Sequence, residues 1–165
     1  MTEFLNRVLH SPRLARAVRC GTSVLCMRHT RIGEMWFTVR DDEWYGWFEV
    51  EHERSVEGDA IDHVHKLIHA VQRNGPMFRF EINEHLGVVR AVYQLPIHIE
   101  NRFQDDINAA FQRLVREWEI FVPFVSRVLD GEDVEQVSTE AKQAFAACDA
   151  EMKVAIPSCI AAANA

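Results

Sequence analysis

Hydrophobic and polar positions along this chain follow two periods, and the points where one gives way to the other mark out its elements. Phe78, Phe80 and Ile82 fall on one side of an extended segment, with Met77, Arg79, Glu81 and Asn83 on the other. Glu84–Gly87 reads as a turn, after which Val89, Ala91, Tyr93 and Leu95 alternate with Val88, Arg90, Val92 and Gln94. A period of two predicts a hairpin. Pro96, which has no backbone donor, marks its end. From Phe103 the period lengthens: Phe103, Ile107, Phe111, Leu114, Trp118, Phe121/Val122, Val125 and Val128/Leu129 recur in steps of three and four. That spacing predicts one long helix ending at Gly131, with a kink where Pro123 removes a donor.

The same order of elements occurs earlier in the chain. Met35, Phe37 and Val39 alternate with Trp36, Thr38 and Arg40. Asp41-Asp42 signals a turn, and Trp44, Gly46, Phe48 and Val50 then alternate with Tyr45, Trp47, Glu49 and Glu51. Aromatic side chains on both sides leave the buried face of this hairpin open. A helix follows, capped by Asp59, with Ile61, Val64, Leu67/Ile68 and Val71 as its apolar stripe and Asn74-Gly75-Pro76 as its stop. Ahead of these units, Thr2 caps a short turn and Ser11-Pro12 opens a helix carrying Leu14, Ala15, Ala17 and Val18 up to Gly21. Thr22–Arg28 reads as a short strand. Residues 133–149 form a weaker helical pattern, and the tail from Met152 reads as frayed. The sum is a two-layer α+β domain, an antiparallel sheet packed against helices in the order α-β-β-β-α-β-β-α. Residues 1–150 form that domain and 151–165 a C-terminal tail that reads as disordered.

Composition narrows the function classes. The chain has 165 residues, 48% hydrophobic and 26% charged, which suits one domain burying about two-thirds of its unfolded surface. No apolar run is long enough to span a bilayer and no signal peptide is visible, so the reading is cytoplasmic, with the four cysteines reduced. The net charge of −7 is unevenly spread. Residues 1–40 hold seven arginines and two glutamates (+5), residues 41–62 nine acids and Arg54 (−8), and the remainder fourteen acids and ten bases (−4). Such a chain is a poor default binder of nucleic acid, and Arg7, Arg13, Arg16 and Arg19 read as a solvated helix face.

Candidate chemistry is sparse. Asp62, His63, His65 and His69 form the best metal candidate, because His65 and His69 at i,i+4 can reach one ion from one helix face. The plainer reading is a polar flank of the apolar stripe, since no complete zinc-ligand signature accompanies them. Cys20 and His29 are near only in sequence, which does not make a dyad. Asp41/Asp42 fits a turn, and Asp105/Asp106 fits the first turn of a helix, where the macrodipole favours negative charge. The seven glycines form no phosphate-cradling loop. No catalytic residue and no cofactor is assigned.

The runs Phe78-Arg79-Phe80-Glu81-Ile82 and Val89-Arg90-Ala91-Val92-Tyr93-Gln94-Leu95-Pro96, the helix from Gln104-Asp105-Asp106-Ile107 to Phe121-Val122-Pro123-Phe124, and the strand Trp44–Val50 together resemble the type III secretion chaperone-like (CesT-type) superfamily. Within it they resemble the YbjN-like bacterial proteins, over about residues 20–130. The resemblance implies a non-enzymatic protein-binding module, often a homodimer, whose sheet or long helix engages an extended partner segment. The arginine-rich start and the extra C-terminal segment depart from that pattern. For partner contacts the aromatic residues Trp36, Tyr45, Trp47, Trp118 and Phe121 are the candidates, and each fits a core position as well. The alternative is a metal-binding protein or metal-dependent enzyme using the His63/His65/His69 helix.

Overall fold

The computed structural model describes residues 18–20, 24–29, 33–39, 45–72, 78–83, 85–96 and 103–162. Over these residues the chain is α+β: six strands form one antiparallel sheet and three helices pack against it. The strands are β1 (Val18–Cys20), β2 (Val24–His29), β3 (Gly33–Val39), β4 (Tyr45–Ser55), β5 (Phe78–Asn83) and β6 (Val88–Pro96). The helices are α1 (Ala60–Val71), α2 (Phe103–Leu129) and α3 (Val134–Ala162). Strand order across the sheet is β1-β2-β3-β4-β6-β5, so β6 sits inside and β5 forms an outer edge.

Register settles the faces that alternation alone left open. Phe48 stands opposite Phe37 and Tyr93, and Val50 opposite Met35 and Ala91. Phe48, Val50 and Ala91 are all fully buried, so this row faces the helices. Trp47 and Glu49 stand on the outer face, opposite Thr38 and Trp36. Phe78 and Phe80 extend the buried face on β5, each 4% exposed. The β5–β6 hairpin closes as its sequence predicts. Gly87 adopts φ 64°, and its N–H reaches the Asn83 carbonyl at 2.7 Å.

One aromatic cluster centres the core. Phe80 meets Phe121, Trp118 and Phe145 at centroid distances of 3.9, 6.5 and 5.8 Å, which joins β5, α2 and α3. Val64, Leu67, Ile68 and Val71 of α1 are buried with them.

Four expectations need correction. Val18–Cys20 is a strand paired with Val24–Cys26, where the sequence predicts the end of a helix. Pairing with a neighbouring strand outweighs helical periodicity in so short a run. Ile61, assigned to the α1 stripe, is 39% exposed. Asp59 stands at the N-cap of α1 without a side-chain cap hydrogen bond. The third helix is longer than its pattern suggested, running from Val134 to Ala162. The predicted N-terminal helical pieces at residues 2–17 lie outside the described residues.

A candidate docking edge and the outer sheet face

β5 pairs only with β6 among the described residues, so its other side is an edge with no described partner strand. Alternate N–H and C=O groups of an edge strand point away from the sheet and are available to another chain. Beside this edge lies a groove of about 470 Å³. Phe80 and Ile82 of β5 and Ile68 of α1 supply its apolar wall. His65 of α1, His85 of the hairpin turn and Asn83 supply polar groups. Ile61 precedes His65 by one helical turn, and Leu86 follows His85. These two are the exposed large hydrophobic side chains among the described residues, at 39% and 60%.

On the outer face a charged ladder crosses β4, β6 and β5. Arg90 donates to Glu81 at 2.7 Å and to Glu49 at 3.3 Å, and Arg79 donates to the second Glu81 oxygen at 2.6 Å. The Arg79 guanidinium also lies 5.6 Å from the centroid of the Trp47 ring. Burial would push Glu81 up, but the hydrogen bonds from Arg79 and Arg90 outweigh it and hold this carboxyl below its ordinary range. Glu49 goes the other way: burial pushes it up, against the pull of Arg90. Beneath the ladder Val92 is 1% exposed, with Glu49 and Arg79 as its cross-strand neighbours. Trp36 and Trp47 are half-buried on this face.

The other aromatic candidates lie elsewhere. Trp118 is 2% exposed and Phe121 is fully buried, packed on Phe80. Their place in the helical stripe turns them into the core, which corrects their assignment to a partner surface. Tyr45 stands opposite Pro96 where β4 begins.

Asp62, His63, His65 and His69 are all exposed on α1, and no group of three or more metal-ligating side chains occurs among the described residues. Cys20 pairs with Val24 and His29 with Gly33, at opposite ends of β2, roughly 17 Å apart at strand rise. Arg19 lies in β1 opposite Leu25. Asp105 and Asp106 fall in the first turn of α2. Arg7, Arg13, Arg16, Asp41 and Asp42 lie outside the described residues.

Two buried polar groups escaped the sequence reading. His52, 5% exposed, continues the buried face of β4, and its Nε2 lies 3.3 Å from Ser126 Oγ on α2. Its Nδ1 accepts the Arg54 N–H at 3.1 Å, with the Arg54 carbonyl farther away at 3.4 Å. The shorter contact leaves the proton on Nε2, donating to the serine. That is the wrong tautomer for drawing a proton from the hydroxyl. Burial holds this imidazole below its ordinary value. Glu117 on α2 is 1% exposed: one oxygen accepts from Arg113 at 2.8 Å and the other has no hydrogen-bond partner among the described residues. Neither group carries a sequence signal, because each sits at an unremarkable polar position until helices and sheet close over it.

No protein-family model matches the chain, and no curated protein matches it in sequence. A solved structure similar to it is the heterodimeric ExoU-SpcU complex from the type III secretion system of Pseudomonas aeruginosa. It shares 14% identity, covers 74% of this chain and 95% of the matched one, and has a TM-score of 0.49. No helix among the described residues is long and apolar enough to cross a membrane.

Proposed function

We propose that the protein is a non-enzymatic binding module that takes an extended segment of another polypeptide along the outer edge of β5. One observation carries this reading: an edge strand with no second partner among the described residues borders a groove of about 470 Å³ walled by Ile68, Phe80 and Ile82. An added strand would satisfy the outward backbone groups of Phe78–Asn83 over roughly 20 Å. Its alternate side chains would enter the apolar wall of Phe80, Ile82 and Ile68, while the intervening ones would meet Arg79 and Glu81. The Arg79–Glu81 pair keeps charge on the edge, a device that discourages unselective strand pairing.

The chaperone-like character, the YbjN-like relationship, the cytoplasmic location and homodimerisation belong to this proposal and rest on the sequence reading. For the dimer, Trp36 and Trp47 on the outer sheet face are the candidate contacts. Light scattering at micromolar concentration tests it, and a monomer at every concentration counts against it.

The edge itself is tested with a partner recovered from the source cells. Backbone amides of Phe78–Asn83 should gain hydrogen-exchange protection in the complex, and Ile82→Asp, which places a charge on the groove wall, should abolish recovery of that partner while circular dichroism of the variant matches the parent. Unchanged recovery, or protection confined to other strands, refutes the proposal.

A further inference from the structure

The groove beside β5 holds two histidines on different elements, and this bears on which segment it accepts. Building on the docking edge above, we propose that the groove selects an extended segment placing a carboxylate among its apolar residues, held by His65 and His85.

The argument starts from which polar groups are already engaged. Glu81 accepts from both Arg79 and Arg90, and Arg90 also reaches Glu49, so these charges largely neutralise one another. Asn83 donates to Glu51 at 3.1 Å, and its Oδ1 accepts the backbone N–H of His85 at 3.2 Å. The imidazoles of His65 and His85 have no hydrogen-bond or ion-pair partner among the described residues, and both are exposed. The groove therefore presents two uncommitted imidazoles beside an apolar wall of Ile68, Phe80 and Ile82. An imidazole always offers at least one N–H donor, and gains a second with its positive charge. A carboxylate only accepts, so it fits that pair in either protonation state and more strongly in the charged one. A lysine or arginine in the same place would find an acceptor nitrogen only on neutral rings, and would meet like charge once the rings are protonated.

Other charged groups lie near the two histidines. On α1, Asp62 and His69 flank His65 at i−3 and i+4, and both are exposed. Lys66 reaches Glu135 of α3 at 3.8 Å. Glu57, in the loop before α1, accepts from Ser55 at 3.2 Å. Glu84, next to His85, lies outside the described residues. Histidine is the side chain that changes charge across neutral pH, so acidification distinguishes this site from a groove that reads shape alone.

The test is selection of random displayed segments of about ten residues, the span of an edge strand with short flanks, on the purified full chain. Enriched segments should alternate apolar residues and carry Asp or Glu at a fixed position. By fluorescence anisotropy the best of them should bind about two- to tenfold more tightly near pH 6 than near pH 8, the range two exposed ion pairs supply. His65→Gln with His85→Gln should remove that pH dependence. Both positions are exposed, so circular dichroism of the variant should match the parent. Segments that protect β5 amides but show no acidic preference, or whose affinity ignores pH, overturn this inference and leave the docking edge intact. Enriched segments that bind away from β5, or no enrichment at all, overturn both.

Discussion

Phe80 on the edge strand lies against Phe121 on the long helix, ring centroids 3.9 Å apart and planes inclined by 24°. The contact joins the strand proposed for docking to the interior, so the edge is backed by packed aromatic rings. Trp118 and Phe145 close around the same ring. A binding edge supported in this way keeps its backbone groups in register before any partner arrives, which lowers the ordering cost of association.

Phe121→Ala should therefore destabilise the fold by about 3–5 kcal/mol, through lost transfer energy and the cavity left behind. Trp47→Ala on the half-buried outer face should cost clearly less. Urea denaturation of the two variants checks the order, and an equal or reversed loss would show that the core has been misplaced.

His52 should make stability depend on pH. Burial lowers its folded-state pKa below 6.5, so between those values the unfolded chain binds the proton and the fold does not. Stability is full above the unfolded value and declines as pH falls towards the lower folded one. The urea midpoint should hold above about pH 6.5 and fall as the pH is lowered below it, and His52→Gln should flatten that slope. A slope that is the same in both proteins removes the assignment.

Glu117 and Arg113 should behave as a coupled pair. Burial would lower the Arg113 pKa, but the hydrogen bond from Arg113 to Glu117 outweighs it and raises that pKa. Arg113→Met strands a buried carboxylate whose second oxygen has no partner among the described residues, at a cost of about 3 kcal/mol or more. Replacing both by methionine should recover most of that loss. Additive losses in the double-mutant cycle would contradict the pairing.

Gly87→Ala should cost about 1–2 kcal/mol, because φ 64° at this turn is a left-handed conformation that a Cβ disfavours. Space is not the obstacle: an added Cβ would sit 3.5 Å from the Val56 carbonyl, an ordinary contact. Thermal unfolding reads the effect, and a neutral outcome would mean that the turn relaxes without strain.

Much of the architecture was legible in the residue pattern. The β5–β6 hairpin, the α2 stripe from Phe111 to Val128 and most of the α1 stripe follow from alternation and three-four spacing. That periodicity belongs to each segment and needs no knowledge of its neighbours. The exceptions are instructive. Ile61 has the right spacing for the core, yet it is exposed at the first turn of α1. Val18–Cys20 has a helical pattern, yet it pairs with β2.

Trp118 and Phe121 show the limit for the candidate site. The sequence marked them as large aromatics on an amphipathic helix, which fits a core and an interface equally well. It also determined the two hairpins, the long helix and the charge alternation on their outer positions, because such features are written in local order. Only the tertiary structure decided that β6 lies between β4 and β5, and so that β5 rather than β6 stands at that edge of the sheet. It alone brought His65 and His85 to one groove and closed the core over Glu117 and His52. Those outcomes depend on contacts between residues far apart in the chain, and nothing in a segment's own periodicity specifies which other segment it will meet.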